Sequence, residues 1–208
     1  MRCILAVVLL IVVGPCAWAC YSGLTLIPTV DTVGAGMLSI EGQVDSSTSP
    51  IHAETYILNT EFGIGERLEV GLDFDLSDGA ESRVLLNGKY VLFPYRDRAL
   101  SVAAGACNVA NDVRTTPYLT CCVGAPSLKV HFGAMRTESH NRWFAGIHKP
   151  LSRRVCIMAD HISGDENFSA VGLECDLGRG LGLLVGRQFP NGPGDPTLTL
   201  HLILAIEP

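Results

Sequence analysis

Two pairs of carboxylates stand two residues apart in this 208-residue chain, Asp73 with Asp75 and Glu174 with Asp176. On an extended backbone, residues i and i+2 point to one face. Each pair therefore brings two acids together, and paired carboxylates can divide acid and base roles or hold a cation. Bases occupy segments of the same kind: Arg67, Arg83, Lys89 and Lys129, with Glu69, Asn87 and His131 among them. The balance of signs reads as a hydrated wall with internal ion pairs, and charge in such a wall tunes which solutes pass. A second constellation is His161, Ser163 and Asn167. If a strand runs through Ser163, His161 and Ser163 share a face and could meet as base and nucleophile. Asn167 follows across Gly164-Asp165-Glu166, which reads more simply as a hairpin turn.

The cysteines and histidines suggest no metal and no cofactor. Beyond residue 19 the thiols are Cys20, Cys107, Cys121, Cys122, Cys156 and Cys175, with no Cys-x-x-Cys among them. Cys121 and Cys122 are adjacent, so they face opposite sides of a strand and cannot easily bridge each other. The thiols read mainly as small hydrophobes within strands. His52, His131, His140, His148 and His201 are scattered, none beside a second ligand at metal spacing.

These side chains must be positioned by strands, because no helical periodicity of any length follows the N-terminal stretch. Segments of period two separated by turn signals cover 36–44, 53–62, 67–76, 82–93, 99–109, 115–123, 126–136, 142–149, 154–163, 167–177, 180–189 and 196–206. Across 67–76, Leu68, Val70, Leu72, Phe74 and Leu76 oppose Arg67, Glu69, Gly71, Asp73 and Asp75. The last segment sets Leu198, Leu200, Leu202, Leu204 and Ile206 against Thr197, Thr199 and His201. Period two does not say which face is inside. A soluble exported barrel would bury the leucines around an apolar ligand, whereas an outer-membrane barrel would turn them to lipid around a polar lumen.

Three features favour the second. The segments suit a tilted crossing of the bilayer. Their number is large and even, about twelve, with ten also compatible. Aromatics lie near segment ends, at Phe62, Phe93, Tyr95, Tyr118, Trp143, Phe168 and Phe189. The loops divide by charge as well. With both termini on one side, the opposite set carries Asp45, Asp78, Glu81, Asp112, Glu138, Asp165, Glu166 and Asp195 against Arg114. The terminal side carries Glu66 and Asp97 against Arg96, Arg98, Arg153 and Arg179.

Composition supports the same class. The chain is 48% hydrophobic and 17% charged, with mean hydropathy +0.30, which excludes a disordered chain. A net charge of −6 argues against a nucleic-acid partner. Part of the hydropathy comes from the apolar run Ile4 to Val13. With Met1-Arg2 before it and Ala17-Trp18-Ala19 after it, that run reads as a secretory signal over residues 1–19. Cys20 at the next position raises lipidation as an alternative fate.

Short motifs carry a family resemblance. Gly23-Leu24-Thr25-Leu26-Ile27-Pro28-Thr29-Val30-Asp31-Thr32 is similar to the opening of bacterial outer-membrane porin-like β-barrel proteins. Glu66-Arg67-Leu68-Glu69-Val70-Gly71 resembles a strand of the same proteins, and Asp160-His161-Ile162-Ser163-Gly164 followed by Asn167 resembles their hairpins. The resemblance implies an exported bacterial outer-membrane barrel of poorly defined activity, and the residues add the expectation of contact with lipid and of no enzymatic chemistry. Residues 1–19 are then the signal, 20–35 an irregular segment that plugs the lumen or lies at its mouth, and 36–207 an all-β, antiparallel up-and-down transmembrane barrel. Its expected lining is Arg67, Glu69, Asp73, Asp75, Arg83, Asn87, Lys89, Lys129, His131, Glu174 and Asp176. These would surround a narrow charged lumen for passive passage of small solutes, or serve a structural role. Certain outer-membrane phospholipases also carry a His-x-Ser pair on a twelve-stranded barrel, which keeps an enzymatic alternative open. The Asn-Gly that follows their serine is missing here.

Overall fold

The computed structural model describes residues 23–48, 51–77, 83–94, 100–110, 114–137 and 140–207, without the side chains of residues 51–54 and Arg83. The expected signal, Cys20, Tyr95 and the loop charges Asp78, Glu81, Arg96, Asp97, Arg98, Asp112 and Glu138 lie outside the described residues. Twelve strands form among the described residues. The first half comprises β1 (Leu38–Thr48), β2 (Ile51–Ile64), β3 (Leu68–Asp75), β4 (Arg83–Phe93), β5 (Leu100–Val109) and β6 (Thr116–Ala125). The second half continues as β7 (Leu128–Thr137), β8 (His140–Pro150), β9 (Val155–Ile162), β10 (Phe168–Gly178), β11 (Leu181–Pro190) and β12 (Thr197–Ile206).

Each strand pairs antiparallel with its sequence neighbours, and β1 pairs with β12 from Leu38↔Ile206 to Ser47↔Thr197, closing the barrel. Closure leaves no open edge, so every strand is paired on both sides. That is the condition for strands in a medium that offers no hydrogen bonds. A ten-residue strand of ~3.3 Å per residue, tilted by ~45°, rises about 23 Å, close to the apolar band of such barrels.

The strands turn their apolar faces outward. On β3, Val70 and Leu72 are 39% and 38% exposed, whereas Glu69 is 5% exposed. On β12, Leu198, Leu200, Leu202 and Leu204 are exposed, while Thr199, His201 and Ile203 are buried. A soluble barrel would need Leu68, Val70, Leu72 and Phe74 in its interior, and the outward face of β3 overturns it. The closed barrel therefore carries a continuous apolar exterior. Exterior aromatics gather in two groups, with Phe132 between them. Phe62, Tyr90 and Phe93 lie toward the rim that holds the barrel's termini, and Tyr56, Trp143 and Phe189 toward the distal rim. Tyr118 departs from the expected belt, because it shares the inward face of β6 with Thr120 and Cys122 and lines a cavity. Phe168 likewise has the inward parity of Ala170.

Three boundaries differ from the sequence expectation in ways that matter. Strand β1 runs on to Thr48, so Asp45 is a strand residue and leaves the distal loop set. Arg67 is exposed in the turn before β3, where its carbonyl accepts a hydrogen bond from Val91 N at 2.8 Å. Strand β9 ends at Ile162, which removes Ser163 from the alternation that was to align it with His161.

The core lies inside the barrel. Leu24 and Ile27 of the segment before β1 pack with Met135, Phe144, Met158, Leu184 and Ile203 from inward strand faces. Val30 packs with Val91, Ala103 and Cys122. Glycines make room for this segment: a Cβ on Gly146 would stand 2.6 Å from Leu24 Cδ1 and 2.8 Å from Ile27 Cδ1. At Gly63 the segment's backbone passes so close that an added Cβ would run into the Val33 and Gly34 carbonyls.

Candidate functional site

Residues 23–33 are held within the barrel by polar contacts as well as by packing. Val33 N donates to Glu69 Oε2 at 2.8 Å, and Leu26 N donates to Asp160 Oδ2 at 3.2 Å. Thr120 Oγ1 donates to the Pro28 carbonyl at 3.1 Å, and Lys129 Nζ pairs with Asp31 at 2.9 Å. Backbone N–H groups of an irregular segment need partners wherever water is excluded, and inward carboxylates supply them here.

The segment does not fill the whole section. A cavity of about 290 Å³ remains between residues 23–28 and the inward faces of β1–β6, β11 and β12. Among its described lining residues, Glu41, Glu61, Glu69 and Asp73 face Lys89 and His201. Lys89 is 2% exposed, and its Nζ lies 3.3 Å from Glu69 Oε1. Asn87 Nδ2 donates to Asp73, and Asn59 Nδ2 donates to Glu41 Oε1 at 3.0 Å. His201 Nδ1 lies 2.8 Å from the same Glu41 oxygen, and its Nε2 lies 2.8 Å from Thr199 Oγ1. The result is a chamber of mixed lining whose charged groups are predominantly acidic, with Glu41, Glu69 and Asp73 tied to residues of neighbouring strands.

The residues singled out by the sequence therefore divide. Glu69, Asp73, Asn87 and Lys89 come together at this cavity. Lys129 and His131 lie on the inward face of β7, and Glu174 and Asp176 on that of β10. Asp75 lies near the distal rim, where its Oδ1 accepts from Ser77 N at 3.0 Å. Arg83 pairs with Asp75 in the ladder, and Arg67 stands in its turn, away from the chamber. Glu41, Asn59, Glu61 and His201 are chamber residues outside the expected lining. Alternation alone marks them, since each shares the parity of polar neighbours on its strand.

The histidine–serine chemistry takes a different form from the one expected. His161 faces outward beside Trp143, with ring centroids 4.9 Å apart. Its Nδ1 lies 2.8 Å from Ser169 Oγ, directly across the ladder, while Ser163 Oγ accepts from Trp143 N at 3.0 Å. Asn191 Nδ2 donates to the Ile162 and Gly164 carbonyls at 2.7 and 2.9 Å, which orients its Oδ1 toward Ser169. Ser169 Oγ donates its one proton to that oxygen at 3.0 Å. His161 Nδ1 must then be the donor to Ser169, so it is not placed to take the serine's proton.

At the distal rim, Arg142 Nε donates to Glu166 Oε1 at 2.7 Å. The Glu166 carboxyl is held below its ordinary range, first by a hydrogen bond from its own backbone and then by Arg142.

A closed antiparallel barrel with an apolar exterior and charged groups turned inward has the architecture of the transmembrane β-barrel class. Within that class the fold is shared with porins. A KdgM porin superposes with TM-score 0.63 at 9% identity, over 81% of this chain and 99% of that one. A KdgM porin in complex with disordered oligogalacturonate gives 0.65 at 8% identity, over 82% and 99%. The Acinetobacter baumannii outer membrane protein Omp33 gives 0.54 at 7% identity, over 85% and 99%. No family model matches the sequence, and no curated relative matches it.

Proposed function

We propose that this protein is an outer-membrane, porin-like barrel that passes small cationic or neutral polar solutes by passive diffusion. The observation that carries the reading is the chamber in which Glu41, Glu61, Glu69 and Asp73 face a single lysine among the described lining residues. Fixed carboxylates in a narrow passage attract cations and repel anions. An oligogalacturonate, present with one structural neighbour, would meet like charge here. The apolar exterior and its two aromatic groups support the membrane location. Residues 23–33 act as a plug that narrows the passage, so conductance is low at rest.

Planar-bilayer recording of the refolded protein under a KCl gradient tests this. A reversal potential of the sign set by K⁺ permeation is expected. Anion selectivity would refute the assignment of solute class, and complete absence of conductance would remove the pore.

A further inference from the structure

Three inward residues on adjacent strands converge away from the acidic chamber. His148 on β8, Cys156 on β9 and Glu174 on β10 place one ligand atom each within 4.8 Å of one another. The register explains the convergence: Glu174 stands directly across from Cys156, and His148 stands across from Met158, two residues further along β9. Diagonal and direct neighbours on one face of a sheet lie within reach of each other. His148 and Cys156 are 6% and 5% exposed. An independent observation also points to a ligand: His148 Nε2 is buried with no hydrogen-bond partner. A small cavity of about 10 Å³ touches His148 and Glu174, and Thr29 and Asp31 of the plug border it. That is about the space of one water-sized sphere.

We propose that His148, Cys156 and Glu174 bind one divalent transition-metal ion of zinc type. Imidazole, thiolate and carboxylate together suit a borderline-soft cation better than calcium or magnesium, which favour all-oxygen sets. Tetrahedral bonds of ~2.0–2.3 Å bring ligand atoms to within about 4 Å of each other. A rotamer change of the Glu174 side chain closes the remaining gap. Three protein ligands leave a fourth position for water, on the side where the plug lies. The ion would cross-link β8, β9 and β10 beneath residues 29–31.

The test uses untagged protein refolded in detergent, with folding checked by heat-dependent migration on gels. Zinc is titrated against a chromophoric chelator, and cobalt serves as a spectroscopic probe. One zinc per chain is expected, with a thiolate-to-cobalt charge-transfer band in the near ultraviolet. Cys156→Ser should abolish that band and weaken zinc binding on the order of a hundredfold or more, since even changes to groups that only support a ligand cost ~10–100-fold. Cys122→Ser and Cys175→Ser should leave both unchanged. Failure of the folded native protein to bind zinc overturns the proposal without reference to any variant. Persistence of the cobalt band in Cys156→Ser, or its loss in folded Cys122→Ser or Cys175→Ser, overturns the assignment of ligands.

Discussion

Replacing Ile27 by alanine should release the plug while leaving the barrel closed. Ile27 is 1% exposed and packs with Phe144, Met158, Leu184 and Ile203 inside the barrel. Its Cδ1 lies where a side chain on Gly146 would otherwise stand. The undocked segment meets water in the lumen, so its burial gains the full transfer from water. An Ile→Ala change at such a site costs about 2–5 kcal/mol. At ~1.4 kcal/mol per decade, the undocked population rises roughly thirty- to several-thousandfold. The strand ladders do not involve Ile27, so thermal unfolding of the barrel should move far less than plug release. Single-channel recording should show more frequent openings and higher mean conductance, and limited proteolysis should cut within 23–33. Val171→Ala on the exterior serves as the control. Unchanged conductance together with unchanged protease resistance in Ile27→Ala would refute the plug argument.

Other outcomes follow from the same geometry. Glu41→Gln combined with Asp73→Asn should move the reversal potential under a salt gradient toward zero, and an unchanged potential would place selectivity elsewhere. Leu202→Arg on the exterior of β12 should destabilise the barrel by about 2–4 kcal/mol in urea titrations from lipid vesicles, as a charge near mid-depth does. Ser169→Ala and His161→Ala should produce no loss of esterase or phospholipase activity, because the hydroxyl proton is committed to Asn191. Any activity that disappears in either variant contradicts this. Because the Glu166 carboxyl is depressed, its pairing with Arg142 stabilises the rim loop above the ordinary carboxylate range and is lost as pH falls through the lowered value. A spin label at Asp165→Cys should therefore gain mobility as pH falls below the ordinary carboxylate range.

Much of the fold is legible in the sequence because strand periodicity is local. The alternation of Leu68, Val70 and Leu72 with Glu69, Gly71 and Asp73 requires only near neighbours on the chain to be read. Strand ends are harder, since they depend on pairing: β1 continues through Asp45 because β2 and β12 both supply partners there. Ser163 falls outside β9 although its N–H still donates to the Trp143 carbonyl at 2.9 Å, because the ladder with β10 ends at His161↔Ser169.

The amino-acid order by itself determined that this chain forms about twelve two-faced strands joined by turns. Which face is interior was decided only when β1 met β12 and the sheet closed around residues 23–33. The groupings that matter chemically also belong to tertiary structure. Glu41, Asp73 and His201 share a chamber, and His148, Cys156 and Glu174 share a wall, through register between strands whose separation along the chain is set by unrelated turns. Side-chain alternation is a property of the backbone, whereas proximity across a ladder is a property of the closed barrel.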